Sequence, residues 1–334
     1  MRLLVFSILF LSHLLTSIAW AVPCEIKQLS DHFGNQRIAK IDFPDGRRIT
    51  LVGQMHTQRS EMWEMLNLPD NENLFSEVRK RVNSSNSLRA LPLFEEERKL
   101  LYDAVVKEEA KFIGAELSDE GVAEWLPKVR EFQDRMLAHS ARTGESDIGL
   151  ISKARLAAYG PVLAMPLERP ALFLKARLIG IEDSRAVKLQ NEVYKSVRAA
   201  EADLLREIGN NKELIARFVQ MDMDMQLEHY SHYDPKIPGI NAIIINPLLS
   251  KWPGMYRKTV RKWLEAYVDF FATLFIRDEL STKNILAQNQ SGIIFIGGAH
   301  VRPIMRRLRN ACRENLQSSE DVTASISSPS RAVR

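Results

Sequence analysis

Four side chains of this sequence stand where a short apolar run stops: His56 after "TLVGQM", Glu116 after "FIGA", Glu182 after "RLIGI" and His300 after "GIIFIGGA". Both histidines close the same small pattern, Gly53-Gln54-Met55-His56 and Gly297-Gly298-Ala299-His300. Two imidazoles and one or two carboxylates suit a divalent cation (zinc, manganese or cobalt) with a position left open for water, as in hydrolytic metal sites. The same groups can also work without a metal, a histidine as general base and a glutamate as acid or as the group that orients it. A single G-x-x-H arises often by chance. Two copies, each after an apolar run, in a chain with seven histidines, argue for a shared site.

Shared placement requires elements that bring the four run ends together. "RIAKIDFPDGRRITLVG" alternates apolar and polar residues on both sides of Pro44-Asp45-Gly46, which predicts a β-hairpin whose second strand stops at Gly53. "FIGA" either continues a helix from near Phe94 or is a strand. Ser118-Asp119-Glu120 just after it forms an N-cap for a new helix, which favours the strand. "ARLIGIED" (176–183) and 293–297 complete the set of strands. In sheets covered by helices, ligands gather at the carboxyl ends of the strands, where loops and free side chains replace core. Glycines 53, 297 and 298 let the backbone turn there or approach a ligand closely.

The remaining chain reads as helix. Residues 60–160 are mostly helical, broken by a polar loop at 83–87. From Ser184 the apolar positions Val193, Val197, Ala200, Leu204 and Ile208 step by three and four. Helix is expected again over about 211–232 and 256–288, with a Pro- and Gly-containing loop at 235–253 between them. A last helix runs over about 303–314, and a polar tail from Gln317 is expected to be disordered. The fold class is therefore α/β in the mixed α+β sense: a central mixed sheet covered by helices, in one domain over 22–316, with helical insertions at about 60–160 and 184–288.

"MRLLVFSILFLSHLLTSIAWA" has one arginine, an apolar run and a small-x-small ending at Ala21, the form of a cleaved signal peptide over 1–21. Cleavage makes the protein secreted or periplasmic, with no stable membrane span, and leaves a net charge of about +3. That balance gives no support to a nucleic-acid partner, and the basic stretches "YRKTVRK" and "RPIMRRLR" read as solvated helix faces. An exported chain with two cysteines, Cys24 and Cys312, is expected to join them in a disulfide. His229 and His232 in "LEHYSHYD" have helical metal-pair spacing, though a solvated helix end is the plainer reading. The chain carries no P-loop, G-x-S-x-G, H-E-x-x-H or G-x-G-x-x-G.

The order of these marks resembles the TraB/GumN/Tiki superfamily, related in fold to ChaN-like and erythromycin-esterase-like proteins. That family carries a first G-x-x-H after a hairpin, a strand-final glutamate, a later strand ending in glutamate, an Arg-Asn or similar pair on a late helix, and a closing G-x-x-H. Here they correspond to Gly53 and His56, Glu116, Glu182 in "IGIED", Arg277-Asp278 in "FIRDELSTKNILA", and Gly297 to His300, over about residues 37–310. Gln54, Asp278 and Val301-Arg302-Pro303 depart from the family pattern, which has a small residue, an asparagine and a nearby glycine at those places.

The resemblance implies a metal-dependent hydrolase, a peptidase acting on a peptide or protein substrate. His56, Glu116 and His300 would hold the ion, Glu182 would be base or orienter, and Arg277, paired with Asp278, would stabilise oxyanion charge. The alternative is a non-catalytic envelope protein holding a peptide, haem or metal in the same pocket, which Gln54 and the missing glycine favour.

Overall fold

The computed structural model describes residues 25–32, 36–54, 64–145 and 147–327. The expected hairpin forms from β2 (Gln36–Asp42) and β3 (Arg48–Gln54), with Ile38 opposite Val52. Gly46 takes the left-handed conformation (φ +84°) that the turn requires. The Asp45 carboxylate accepts the Arg47 backbone N–H at 3.1 Å and its side chain at 2.6 Å. A further strand not foreseen from sequence, β1 (Glu25–His32), pairs antiparallel with β2 at the sheet edge.

Beyond β3 the sheet becomes parallel. β4 (Phe112–Ala115), β5 (Arg177–Gly180) and β6 (Gly292–Gly297) complete the order β1-β2-β3-β6-β4-β5. In register, Gln54 lies opposite Gly297, Ala115 opposite Phe295, and Gly180 opposite Ala115. Four parallel strands thus end at one edge, from which Glu116, Glu182 and His300 follow within a few residues. His56 lies outside the described residues.

Both faces of the parallel part are covered, so its strands read as continuous apolar runs rather than alternating ones. All six residues of β6 are buried. On one face Leu51, Ile294 and Ile296 pack against Ile304, Leu308 and Cys312 of the last helix. On the other, Val52, Ile113 and Phe295 meet Leu101, Val105, Val162 and Met165.

The crossovers between parallel strands are helical. α1 (Leu74–Val82) and α2 (Ser85–Val106) precede β4; α3 (Asp119–Thr143), α4 (Ile148–Glu168) and α5 (Pro170–Phe173) lead to β5. The break foreseen at 83–87 narrows to two residues, because α2 begins at Ser85. The Ser118 hydroxyl caps α3 by accepting the Gly121 N–H at 3.1 Å, which stops β4 and turns the chain just beyond Glu116.

Between β5 and β6 stand α6 (Ser184–Ile208), α7 (Lys212–Asp224), a π-helical turn (Met225–His229), α8 (Tyr230–His232), α9 (Ile240–Ser250) and α10 (Arg257–Ala287). They share a core of Val197, Leu204, Phe218, Trp263, Tyr267 and Phe271. The segment 235–253, expected as a loop, contains α9. Flanking prolines and glycines suggested a loop, but Ile244, Ile245, Leu248 and Leu249 recur at helical spacing and are buried together.

The last helix, α11 (Gly298–Ser327), starts five residues before the Pro303 that marked its expected start and follows β6 directly. His300 therefore sits on a first helical turn, not in a loop. The polar segment from Gln317, expected to be disordered, continues α11 through Ser327, and neither glycine nor proline interrupts it there. Among the described residues no helix is long and apolar enough to cross a membrane. The leader at 1–21 lies outside them.

Candidate functional site

The site residues are held by the ends of three strands and by one long helix. Gly180 ends β5 against the start of α3, where a Cβ would fall 2.1 Å from the Ser118 carbonyl carbon and 2.3 Å from the Asp119 nitrogen. Only glycine allows that approach, and the Gly180 N–H donates to the Asp119 carboxylate at 2.8 Å. The chain then leaves the sheet with the Ile181 N–H on the Ala115 carbonyl (3.1 Å) and the Glu182 N–H on that of Leu117 (3.0 Å). Asp183 caps α6 immediately afterwards. Glu182 is left on a short, doubly tied segment beside β4, with its side chain buried.

Arg277 and Asp278 lie in the C-terminal third of α10, a helix of 31 residues and about 46 Å, long enough to run from the helical layer to the sheet edge. The Arg277 guanidinium donates from Nε to Glu182 Oε1 at 2.5 Å, from one terminal nitrogen to Gln190 Oε1 at 2.7 Å, and from the other to Glu116 Oε1 at 2.5 Å and again to Glu182. The Gly297 N–H donates to the other oxygen of Glu116. A cation thus stands between two strand-final carboxylates that would otherwise repel each other.

The second half of the site is built on Asp278, which is 1% exposed. Its Oδ1 lies 2.5 Å from Nδ1 of His300, and its Oδ2 accepts the Tyr230 hydroxyl. With Nδ1 protonated and donating to Asp278, the lone pair of His300 is on Nε2, which faces Glu116 Oε1 at 3.7 Å. The Tyr230 ring packs edge-on against the imidazole at 5.9 Å. Arg307 of α11 stacks on Phe275 and brings one nitrogen to 4.0 Å from Asp278 Oδ2.

Burial works against a charged imidazole at His300, but the charge and hydrogen bond of Asp278 outweigh it, so the pKa is raised. Burial pushes the Glu182 carboxyl up, against the pull of Arg277. Burial also disfavours the Arg277 cation, and the charges of Glu116 and Glu182 more than restore it. The Tyr230 phenol is held well above its ordinary value by burial and by Asp278, so it stays a proton donor.

Five of the residues singled out from sequence, Glu116, Glu182, Arg277, Asp278 and His300, belong to this one connected network. Gly297 joins it through its N–H, Gly298 begins α11, and Gly53 is buried inside β3. The contacts of two of these residues bear on the roles expected for them. Arg277, expected to face oxyanion charge, has all three nitrogens engaged with protein acceptors and acts as a clamp on carboxylates. Glu182, expected as base or as orienter of a histidine, contacts Arg277, and Asp278 lies on Nδ1 of His300.

Reasoning from sequence missed Tyr230, Gln190 and Glu97. Glu97, one of three consecutive glutamates on α2, is 1% exposed and accepts the Gln54 amide at 2.6 Å at the end of β3. Only its helical spacing from Phe94 and Leu101 sets it apart from the exposed Glu95 and Glu96. His229 and His232 do not enter the network.

Among the described residues no group of three or more His, Cys, Asp or Glu side chains is arranged to hold a metal ion. Glu116 and His300 do present two donors at a spacing that a single ion can bridge, since zinc ligands lie about 2.0–2.2 Å from the metal. Among the described residues no third donor joins them, and Arg277 lies against the same carboxylate. No protein-family model, no curated protein and no solved structure matches this chain. The likeness to the TraB/GumN/Tiki superfamily therefore rests on the motifs themselves.

Proposed function

We propose that this chain is an exported hydrolase, acting on a peptide or protein substrate, whose general base is Nε2 of His300. The observation that supports it most is the Asp278–His300 hydrogen bond, which fixes one imidazole tautomer and leaves Nε2 directed at the carboxylate end of the sheet. A buried carboxylate on Nδ1 does two things for a base: it selects the tautomer, and it stabilises the imidazolium formed when Nε2 removes a proton from water. Glu116, fixed by Arg277 and the Gly297 N–H, stands beside Nε2, and the proton that Nε2 took from water passes from the imidazolium, directly or through Glu116, to the leaving amine. Glu182 and Gln190 hold Arg277, and through it Glu116, in place.

A second reading makes the hydrolase metal-dependent, in line with the family resemblance. The 3.7 Å between His300 Nε2 and Glu116 Oε1 favours it. His300 and Glu116 would hold the ion, with His56 as the third ligand. The metal would lower the pKa of a bound water, and Asp278 on Nδ1 would be the carboxylate that orients a ligating imidazole.

One experiment separates these readings from a non-catalytic envelope protein. The purified mature chain is assayed against a fluorogenic peptide library with and without chelator, its metal content is measured, and its absorbance is followed on adding haem. Cleavage that survives chelation supports the first reading, and cleavage lost with the metal supports the second. Stoichiometric haem binding without cleavage defeats both.

A further inference from the structure

The buried positions of α7 and the first residue of the π-turn step by four, three and four: Leu214, Phe218, Met221 and Met225. Continued at the same helical spacing, the next inward position would be Glu228 or His229. The structure skips both. At Asp224, Met225, His229 and Tyr230 the backbone keeps right-handed helical angles, but the Tyr230 N–H bonds the carbonyl of Met225, five residues back. That single π-turn inserts one residue and rotates everything after it by about 100° about the helix axis. Glu228 is left exposed and His229 half-buried, while Tyr230 turns inward.

Tyr230 then occupies a defined place. Its ring lies against Phe271 at 5.6 Å and edge-on to His300 at 5.9 Å, and its hydroxyl reaches Oδ2 of Asp278. A carboxylate with one oxygen engaged cannot rotate freely, so Oδ1 is the oxygen held toward Nδ1 of His300. π-Turns cost helical regularity and recur where a side chain must be re-aimed at a site.

We infer that the π-turn Met225–His229 serves to aim Tyr230 at Asp278, and that Tyr230 is a positioning residue that fixes the His300 tautomer through Asp278. The inference rests on the reading of His300 as a base with Nδ1 protonated. Tyr230 touches no reacting atom, and its effect passes through the carboxylate.

The test reads the imidazole directly by ¹⁵N NMR of histidine-labelled full-length mature protein, with the His300 signals assigned by their loss in His300→Gln. In the wild type, at a pH above the raised pKa of His300, the neutral ring shows the Nδ1–H tautomer. In Tyr230→Phe the Nε2–H tautomer rises about tenfold, the change expected from losing one buried hydrogen bond. Tyr267→Phe removes a phenol–carboxylate bond to Asp222 in the same helical layer and leaves the His300 signals where they were.

A folded Tyr230→Phe with unchanged His300 signals overturns the inference while leaving His300 as the base. A wild-type His300 with Nε2 protonated overturns the base reading, and the inference with it. If Tyr230→Phe does not fold, 3-fluorotyrosine at position 230 keeps the shape and strengthens the donor. The His300 Nδ1–H resonance must then move, and an unmoved one overturns the inference.

Discussion

Nδ1 of His300 stands 2.5 Å from Oδ1 of Asp278, although 22 positions and the whole of β6 separate the two residues in the chain. One comes from the first turn after a central strand and the other from the far part of a long crossover helix, so the pair exists only in the folded protein. The Asp278 carboxylate can both accept from Nδ1 and balance the charge of a protonated imidazole.

The pair makes stability depend on pH with a definite sign. His300 has a folded pKa above its unfolded value of about 6.5, because Asp278 outweighs burial. The folded state therefore binds the proton more tightly, and this contribution is full below pH 6.5 and is lost as pH rises through the folded pKa. Urea unfolding of the wild type and of His300→Gln across this range should converge on the alkaline side. A difference that grows with pH contradicts the assignment.

Arg277 neutralises two buried carboxylates, so Arg277→Met leaves both without their cation. A loss of about 3–5 kcal/mol in urea unfolding is expected. Arg277→Lys should recover only part of it, since one ammonium cannot reach Glu182, Glu116 and Gln190 in the fork geometry of a guanidinium. Wild-type stability in either variant would mean that the network is not closed as described.

Gly180→Ala places a methyl group against the backbone of Ser118 and Asp119, where no side chain can give way. The expected loss is about 2–3 kcal/mol, with displacement of the segment carrying Glu182. Gly254→Ala, with nothing within 4 Å of its Cβ, serves as the control and should be near neutral in thermal unfolding.

Cys312 is fully buried against the sheet and disulfide-bonded. The only other cysteine in the chain is Cys24, which lies outside the described residues. A non-reducing peptide map is expected to join the two cysteine peptides. Reduction should lower stability by about 2–4 kcal/mol in urea unfolding. A free Cys312 thiol in the native protein contradicts this.

The strand ends were legible because each combines an apolar run with a glycine or a capping serine, and both signals act locally. Ser118 decided β4 against a continued helix, and Asp45-Gly46 decided the hairpin. Arg277 and Asp278 could be singled out only through the resemblance, since nothing in "FIRDELS" separates a buried ion pair from a solvated helix face. Tyr230 was hidden for a different reason: its inward position depends on a π-turn that breaks the periodicity by which helical faces are read. Gln190 reaches the site from the inward stripe of α6, and Glu97 sits between buried Phe94 and Leu101 on α2, but a polar side chain on an apolar stripe does not by itself say what it bonds. The helix in 235–253 was obscured by prolines and glycines at its borders, while its buried isoleucines and leucines carried the period.

The central claim is that Nε2 of His300, held by Asp278, is the catalytic base, and its most direct test is peptide hydrolysis by matched variants. The wild type, His300→Gln and Asp278→Asn are compared at equal folded concentration, judged by far-UV circular dichroism, on a peptide that the wild type cleaves. His300→Gln should lower kcat/KM by at least about 10³-fold, and Asp278→Asn by about 10²–10⁴-fold with little change in KM. A folded His300→Gln that cleaves at the wild-type rate contradicts the account.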